Sequence, residues 1–575
     1  MIDPAYPRPT RYRSSWRTLN GPWSFDFFDD YLITSEESRI AAPLSRTIEV
    51  PYTYQSPRSG INDTDYHPCF IYRKEVVLSD QERKGRLLLH FGAVDYQVSV
   101  WIDGIRIGYH TGGYTPFFFD ISPWRRQGTI TITCEVIDTM SPEQPRGKQS
   151  WCNPTACWYI PMSGIWQTVW LESVPDTYIM ESTSQAYNST ITSSVTLNTP
   201  FPSGELKLVV SASEKHIGQA SVLCDTSRTY TLVLEIEDVH YWDCEDPFLY
   251  DIDLILTHEN QIVDRVRTYT AFREISWTAE GIMINGRKTP MKLVLNQGYW
   301  PESGYTQPYD LAMRDDIKLM QSLGFNGCRM HEKYEDPRFY YWADHEGFLV
   351  WEESPSFYQF SDRGTAVFKN ELDHVIRRDS EHPSIIARVI CNESWGILDI
   401  ATNMDMQRWL TDIVEFARKA DPHRLIIDND GWEHLPGEIL TFHSYEHDPD
   451  LLSEDWSRAL NALPGGYHSK PISIGTEKND GSKPSMLTEF GGLTYHRSDD
   501  DSDDWGYGHS FTDEEDFLRA LAELISCAEH LPDSAGWCYT QFSDVYQEKN
   551  GLVNGYREPK VSREKLRACI DAQKK

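Results

Sequence analysis

The chain has 575 residues, of which 40% are hydrophobic and 25% charged, a globular composition that excludes collagen-like and disordered classes. It carries 54 Lys and Arg against 87 Asp and Glu, a formal net charge of −33. Phosphate backbones and anionic membranes repel such a chain, and no segment approaches the about 20 apolar residues that span a bilayer, so we expect neither a nucleic-acid nor a membrane partner.

The 11 cysteines include no C-x-x-C pair, and the sequence lacks the basic start and apolar run of a signal peptide. These features predict a cytoplasmic protein without a disulfide framework or a zinc knuckle. The aromatic content of 13% suits stacking on sugar rings but is equally typical of β-sandwich cores. The acidic run 498–504 is expected to be a solvated loop, with a calcium site as the alternative. Homo-oligomerisation stays open.

Residues 1–175 are predicted to form a β-sandwich of jelly-roll type. Short alternating apolar runs at 86–91, 97–102 and 129–136 read as strands, and Asp103-Gly104 is a hairpin signal between two of them. Residues 176–275 continue this pattern. Runs at 206–211, 230–236 and 250–256 in about a hundred residues are typical of an immunoglobulin-like sandwich.

Residues 276–575 change to apolar strands that alternate with amphipathic helices. The predicted strands are 291–295, 325–330, 348–351, 385–390, 425–428, 439–442, 485–488 and 535–539. The clearest helical stretches are 310–323, 368–378, 404–420 and 513–530. This rhythm predicts a (β/α)₈ barrel. An open doubly wound sheet is the alternative, but no Gly-x-Gly-x-x-Gly follows the first strand.

Two carboxylates follow apolar strands of this predicted barrel. Glu393 comes after the fourth strand and Glu489 after the seventh. Active sites of such barrels lie at the carboxyl ends of the strands, and these two strands face each other across the barrel mouth. A pair of carboxyl groups about 5 Å apart can cleave a glycosidic bond with retention of configuration. The alternative is that both are ordinary loop-capping carboxylates.

All of the remaining predicted strands also end in groups that can bind sugar hydroxyls or stack on a sugar ring. We predict substrate contacts for Arg329, His331, Asn392, Asp428, Asp430, Trp432, His443 and Tyr445. For the Asp428–Trp432 part, the alternative is a turn followed by a capped helix. His443 and His447 have metal-ligand spacing, but a strand end need not place both on one face.

The sequence resembles glycoside hydrolase family 2 over nearly its whole length. The motifs that carry the resemblance are Leu19-Asn-Gly-Pro-Trp23, Gly112-Gly-Tyr-Thr-Pro116, Ser163-Gly-Ile-Trp166, Gly324-Phe-Asn-Gly-Cys-Arg329, His382-Pro-Ser-Ile385 and Asn392-Glu393. The resemblance implies a sugar-binding jelly roll, an immunoglobulin-like domain and a catalytic barrel. It implies that Glu393 is the acid/base and Glu489 the nucleophile, with Tyr445 and Arg329 holding the nucleophile in its ionised form, and it implies no organic cofactor.

The sequence departs from the family pattern in three places, which bear on the metal and on the substrate. The stretch 351–356 has no His, so the magnesium site of the large β-galactosidases is not expected and we predict no metal. Glu548-Lys549-Asn550 stands where β-glucuronidases carry Asn-x-Lys, and a Glu there would repel a sugar carboxylate. Trp537 lies near the place of a substrate-contacting Trp of the family, so it is predicted to contact substrate.

These observations predict a retaining exo-β-glycosidase that cleaves a terminal β-galactoside from an oligosaccharide or simple glycoside. The alternatives are an α-L-arabinosidase, a β-mannosidase or a β-glucuronidase of the same family. A protein of another class, which binds carbohydrate without cleaving it, would be expected to lack one of the two carboxylates. Both are present here.

Overall fold

The structure is a computed structural model that describes residues 3–151, 153–435, 437–461, 470–474, 481–496 and 505–571. The acidic run 498–504, predicted as a solvated loop, lies outside these ranges. Among the helices that are described, none is both long enough and apolar enough to cross a bilayer. The predicted fold class is confirmed, because two β-sandwich regions precede a barrel of parallel strands. The boundaries at 175 and 275 stay a prediction.

Two antiparallel sheets pack face to face in the first region. In sheet order, the larger consists of Arg46–Val50, Gly21–Phe27, Cys69–Val77, Thr129–Ile137, Gln97–Ile102 and Ile105–Thr111, and the smaller of Trp16–Thr18, Val169–Val174, Arg86–Phe91 and Phe117–Asp120. A short pair, Val94–Asp95 with Gly164–Ile165, and the helices Pro9–Arg11, Glu36–Ala41, Pro57–Ser59 and Ser122–Trp124 complete it. Trp23, Phe25 and Leu89 belong to the buried core between the sheets.

The second region has the same construction with fewer strands. One sheet consists of Ile179–Tyr187, Thr190–Leu197 and Thr229–Glu235, and the other of Lys215–Leu223, Gly204–Ala212, Tyr250–His258 and Gln261–Thr270. In Gly204–Ala212 every second residue is buried, since side chains of a strand alternate between its two faces. The short strands Ile275–Thr278, Gly281–Ile284 and Arg287–Lys288 then lead into the barrel.

Eight parallel strands form a nearly closed barrel. They are β1 (Met291–Asn296), β2 (Gly327–Met330), β3 (Leu349–Glu353), β4 (Ile385–Asn392), β5 (Leu425–Asp430), β6 (Leu440–Ser444), β7 (Ser485–Gly491) and β8 (Ser534–Thr540). Their sheet order is 5-4-3-2-1-8-7-6. Because one face of each strand packs in the barrel interior and the other against helices, both faces are apolar. Leu293 lies in the interior cluster, whereas its neighbour Val294 lies in the cluster shared with helices.

Seven helices surround the strands in the part of the chain that the structure describes. They are α1 (Ala312–Leu323), α2 (Pro337–Glu346), α3 (Asp362–Asp379), α4 (Met404–Ala420), α5 (Pro449–Leu460), α6 (Glu514–His530) and α7 (Arg563–Ile570), and Thr494–Tyr495 pairs with Ser510–Phe511 outside the barrel. The sequence analysis did not single out α2, α5 and α7. In α2 the reason is physical: residues 337–344 are all buried, so the helix has no polar stripe that would mark its period.

A segment of the first region reaches over the barrel mouth. We call residues 146–151 and 153–159 the docking segment. The backbone amide of Arg146 donates to the carbonyl of Ser356 over 2.9 Å, and the side-chain amide of Gln547 donates to the carbonyl of Trp158 over 2.9 Å. A Cβ at Gly147 would lie 2.0 Å from the carbonyl oxygen of Glu332. Only glycine therefore permits this close approach of the two backbones.

Candidate active site

Glu393 and Glu489 lie next to each other at the carboxyl end of the barrel. One carboxylate oxygen of each and one ring nitrogen of His443 all lie within 4.8 Å of one another. The Glu489 side chain is 5% exposed and that of Glu393 is 13% exposed. Retaining glycosidases have their two carboxyl groups about 5–5.5 Å apart, close enough for one to attack the carbon whose leaving oxygen the other protonates.

The turn after β4 aims Glu393 into the mouth. Glu393 and Ser394 have φ values of 51° and 61°, in the left-handed region that residues other than glycine rarely adopt. The neighbouring strand holds this conformation: the amide of Glu393 donates to the carbonyl of Asp430 over 2.9 Å, and the amide of Ser394 donates to Asn429 Oδ1 over 2.9 Å. The unusual backbone is thus maintained by the carboxyl end of β5.

Glu489 is surrounded by hydrogen-bond donors. Arg329 Nη1 donates to its Oε1 over 2.8 Å, and the Tyr445 hydroxyl donates to its Oε2 over 2.5 Å. Burial raises the pKa of Glu489, but the positive charges of His443 and Arg329 outweigh burial and hold the pKa well below its usual range. Glu489 is therefore a carboxylate near neutral pH, the form that a nucleophile requires.

His443 joins the two carboxylates. Its Nδ1 lies 2.8 Å from Glu393 Oε1 and 3.8 Å from Glu489 Oε2, and its Nε2 lies 3.3 Å from Asp430 Oδ2. Burial lowers the pKa of His443, but the charges of Glu489 and Asp430 outweigh it and raise the pKa to about 10. At neutral pH the imidazole is therefore a cation set between the acidic groups.

Three further side chains contact the Arg329 guanidinium. Arg329 Nε lies 2.5 Å from Glu353 Oε2 and 2.8 Å from Asp430 Oδ2, and its Nη2 donates to Asn392 Oδ1 over 2.7 Å. Burial raises the pKa of Glu353 to about 8 although Arg329 opposes the shift. His331 Nδ1 lies 2.8 Å from the other oxygen of Glu353. Asn392, Arg329 and His331 are thus brought together with the pair, as are Tyr445 and His443.

Asp428 and Asp430 both have partners within the protein, and their contacts with a sugar stay a prediction. Both oxygens of Asp428 are engaged, one with His434 Nδ1 over 2.6 Å and the other with the amide of Leu435 over 2.6 Å. Asp430 receives the Thr488 hydroxyl on Oδ1 in addition to the cations at Oδ2. Asp428 therefore stabilises its own loop, and Asp430 acts through the cations that it holds.

Trp432 and Trp537 lie in different environments. The Trp432 ring is buried and its centre lies 5.6 Å from that of His443, at the edge of the site. Trp537, predicted to contact substrate, is 1% exposed and belongs to the cluster between the barrel and its helices, where it packs edge-on against Phe490. That prediction is wrong, because Trp537 lies mid-strand and faces outward from the barrel.

Sequence reasoning missed the contribution of the docking segment. Lys148 is 5% exposed, and its Nζ lies 5.2 Å from the ring centre of Trp395. Burial lowers its pKa, but neighbouring acidic groups, first Cys157 and then Glu548 and Glu489, outweigh burial and raise it. The aromatic Trp151–Tyr159 stretch, too apolar for an ordinary surface loop, is the signal that could have found this segment. Tyr507, missed likewise, stacks on Tyr445 with ring centres 3.6 Å apart.

A metal ion has one candidate place within the described ranges. Glu393, His443 and Glu489 are the one set of three or more His, Cys, Asp or Glu there whose ligand atoms are close enough to bind a cation. The set does not fit an ion well, because with a pKa of about 10 His443 is protonated near neutral pH and has no lone pair to offer a metal. His447 Nε2 lies instead 2.8 Å from the carbonyl oxygen of Gly491, so the His443 and His447 pair does not converge. The absence of a required metal stays a prediction.

Three family descriptions match consecutive parts of the chain. The sugar-binding domain of glycosyl hydrolases family 2 matches residues 16–175, a second family 2 domain matches 178–273, and the family 2 TIM barrel domain matches 275–497. A β-galactosidase of Thermoanaerobacterium thermosulfurigenes is 24% identical over 550 residues, which cover 90% of this chain and 70% of that protein. The chain spans about half the length of other curated relatives, for example 54% of a Formosa agariphila protein and 53% of a β-galactosidase of Thermoanaerobacter pseudethanolicus.

Solved structures with the same fold cover the whole chain. A β-galacturonidase from Eisenbergiella tayi bound to galacturonate superposes with a TM-score of 0.75 at 20% identity, covering 100% of this chain and 99% of that one. A β-glucuronidase from Bifidobacterium dentium superposes with a TM-score of 0.80 at 16% identity, covering 98% and 97%. At these identities the likeness establishes the fold.

The raised pKa of His443 predicts a pH-dependent stability. A cation whose pKa rises from about 6.5 unfolded to about 10 folded stabilises the native state fully below pH 6.5, and this contribution is lost as the pH rises through 10. His443→Gln should therefore lower the free energy of unfolding on the order of a few kcal/mol more at pH 6 than at pH 10. Urea unfolding at both pH values measures this, with exposed His374→Gln as the control. An equal loss at both pH values would contradict the assignment.

Proposed function

Because the chain belongs to glycosyl hydrolases family 2, we propose that it is a retaining exo-β-glycosidase with Glu489 as nucleophile and Glu393 as acid/base. The observation that carries the proposal is the separation of their carboxylate oxygens, within 4.8 Å, at the carboxyl end of the barrel. Cations at Glu489 support the assignment of roles, since the nucleophile must be ionised.

In the first step the bond to the leaving group is exchanged for a bond to the enzyme. Glu489 attacks the anomeric carbon while Glu393 gives its proton to the glycosidic oxygen, and the leaving group departs as an alcohol. The product is a glycosyl ester of Glu489. Before the attack, Arg329 and the Tyr445 hydroxyl donate hydrogen bonds to the Glu489 carboxylate and orient its attacking oxygen.

In the second step water takes the place of the leaving group. Glu393, now a carboxylate, accepts a proton from water, whose oxygen attacks the anomeric carbon and releases Glu489. Two inversions at one carbon give net retention. His443 Nδ1 lies 2.8 Å from Glu393 Oε1, so the imidazolium can donate to the carboxylate that Glu393 becomes in the first step.

For the sugar, the proposed substrate is a terminal β-galactoside. The curated relatives named β-galactosidase support it. Glu548 is buried where a sugar carboxylate would lie by the resemblance, and it accepts hydrogen bonds from Tyr159 and Asn550, so it is held as an acceptor suited to a hydroxyl. A β-uronide is the second candidate. Lys148 is buried and lies near enough to Glu548 for this carboxylate to raise its pKa, so its ammonium could bind the carboxylate of a uronic acid.

Glu489→Ala should abolish turnover and leave the fold intact, because the variant loses the nucleophile but little buried volume. Azide, a small anion that fits the vacated space, should restore turnover and give a glycosyl azide of inverted configuration, since only one displacement then occurs. Rates with and without azide, together with NMR of the product, test this. Near-normal turnover without azide would remove Glu489 from the nucleophile role.

Glu393→Ala should slow substrates according to their leaving group. Loss of the acid should lower kcat/KM by about 10²–10⁴-fold for glycosides with alkyl leaving groups. It should have a much smaller effect on dinitrophenyl glycosides, whose leaving group departs without a proton. The comparison of both substrates in the variant and the parent is the measurement. An equal loss on both would show that Glu393 is not the acid.

Among nitrophenyl glycosides, the β-galactoside should have the highest kcat/KM. The α-L-arabinopyranoside should follow, because it presents the same ring hydroxyls without the exocyclic carbon. The panel also includes the β-mannoside, β-glucuronide and β-galacturonide, measured at one pH and one ionic strength. A maximum at either uronide would replace the galactoside with the second candidate, and activity on none of them would contradict the hydrolase proposal itself.

A further inference from the structure

Four aromatic side chains form a partly exposed cluster beside Glu393. We call this cluster the aromatic shelf: Trp151 and Trp158 of the docking segment, with Tyr358 and Trp395 of the barrel. The ring centres of Trp158 and Trp395 lie 5.1 Å apart with 29° between their planes, and those of Trp151 and Tyr358 lie 4.7 Å apart. Trp151 remains 45% exposed. Contiguous exposed aromatic surface of this kind commonly marks a binding site.

The shelf is continuous with the catalytic pair. Trp395 belongs to the same turn as Glu393, since its amide donates to the carbonyl of Asn392 over 2.8 Å. Lys148 Nζ lies over the Trp395 ring at 5.2 Å, and its charge acts on both Glu489 and Glu393. The shelf therefore lies on the side of the site that the acid/base occupies.

The ammonium of Lys148 is a second, independent sign of a ligand. The side chain is 95% buried, yet within the described ranges Nζ has neither a hydrogen bond nor a carboxylate within 4.0 Å. An ammonium can donate three hydrogen bonds, and the oxygen atoms of a bound molecule would supply the acceptors that the described residues do not. Its position over the Trp395 ring, where the charges of Glu489 and Glu393 act on it, indicates where such acceptors would lie.

We propose that the aromatic shelf and Lys148 form the subsite for the leaving group, and that this group is a second sugar residue. The proposal rests on the proposed function, because an acid/base protonates the leaving oxygen and so must face that side of the bond. The apolar face of the sugar ring stacks on Trp158, and its oxygens accept hydrogen bonds from Lys148. The first domain thereby selects which glycosides the barrel cleaves.

Three substrates with one common glycone separate the subsite from the chemistry: the glycosyl fluoride, the nitrophenyl glycoside and a β-linked disaccharide. Trp158→Ala should lower kcat/KM on the disaccharide by about 10- to 100-fold, from lost stacking and buried area. The fluoride, which has no ring to stack, should change by less than about 2-fold. Trp158→Phe should retain most activity on the disaccharide. The Trp158 carbonyl, rather than its side chain, accepts the hydrogen bond from Gln547, so the substitution keeps this anchor. An unchanged fluoride rate would also show that the variant is folded.

Lys148→Met should likewise lower kcat/KM on the disaccharide, by about 10-fold more than on the fluoride. Exposed Lys84→Met, with the same change of charge, is the matched control and should leave all three rates unchanged. Equal losses on fluoride and disaccharide would overturn the subsite, and a loss confined to the nitrophenyl glycoside would overturn its assignment to a sugar. A wild-type protein that cleaves none of the three, the fluoride included, would instead refute the proposed function.

Discussion

The buried guanidinium of Arg329 is the interaction on which the site depends. It has no exposed surface, so it is stable only if charged and polar partners surround it. Those partners come from the ends of four strands: Glu353 of β3, Asn392 of β4, Asp430 of β5 and Glu489 of β7. One side chain of β2 therefore fixes the relative positions of groups that are distant in the sequence and holds the proposed nucleophile ionised.

His443 supplies the second cation, and it lies beside both proposed catalytic carboxyl groups. Asp430 holds its Nε2 while Nδ1 faces Glu393 at 2.8 Å and Glu489 at 3.8 Å. Glu489 also has Arg329 and Tyr445, whereas Glu393 is more exposed. Two identical side chains thus acquire different surroundings, which is what a reaction needing one carboxylate and one carboxylic acid requires.

The first domain takes part in the site rather than standing beside it. Hydrogen bonds attach its docking segment to the loops after β3 and β8, the first from backbone to backbone and the second from the Gln547 side chain to backbone. They place Lys148 and Trp158 next to the turn that carries Glu393. Residues of two domains therefore line this side of the site.

The sequence by itself determined the two sandwiches, the barrel strands and the placement of Glu393 and Glu489 at strand ends, because strand periodicity and apolar runs are local properties. It could not determine which groups face the substrate. Asp428 and Asp430 look equivalent along the chain, yet one bonds to its own loop and the other to Arg329, and Trp537 points outward. The contact of Lys148 with Trp395 was decided only by tertiary structure, since it joins residues of different domains that no local pattern relates.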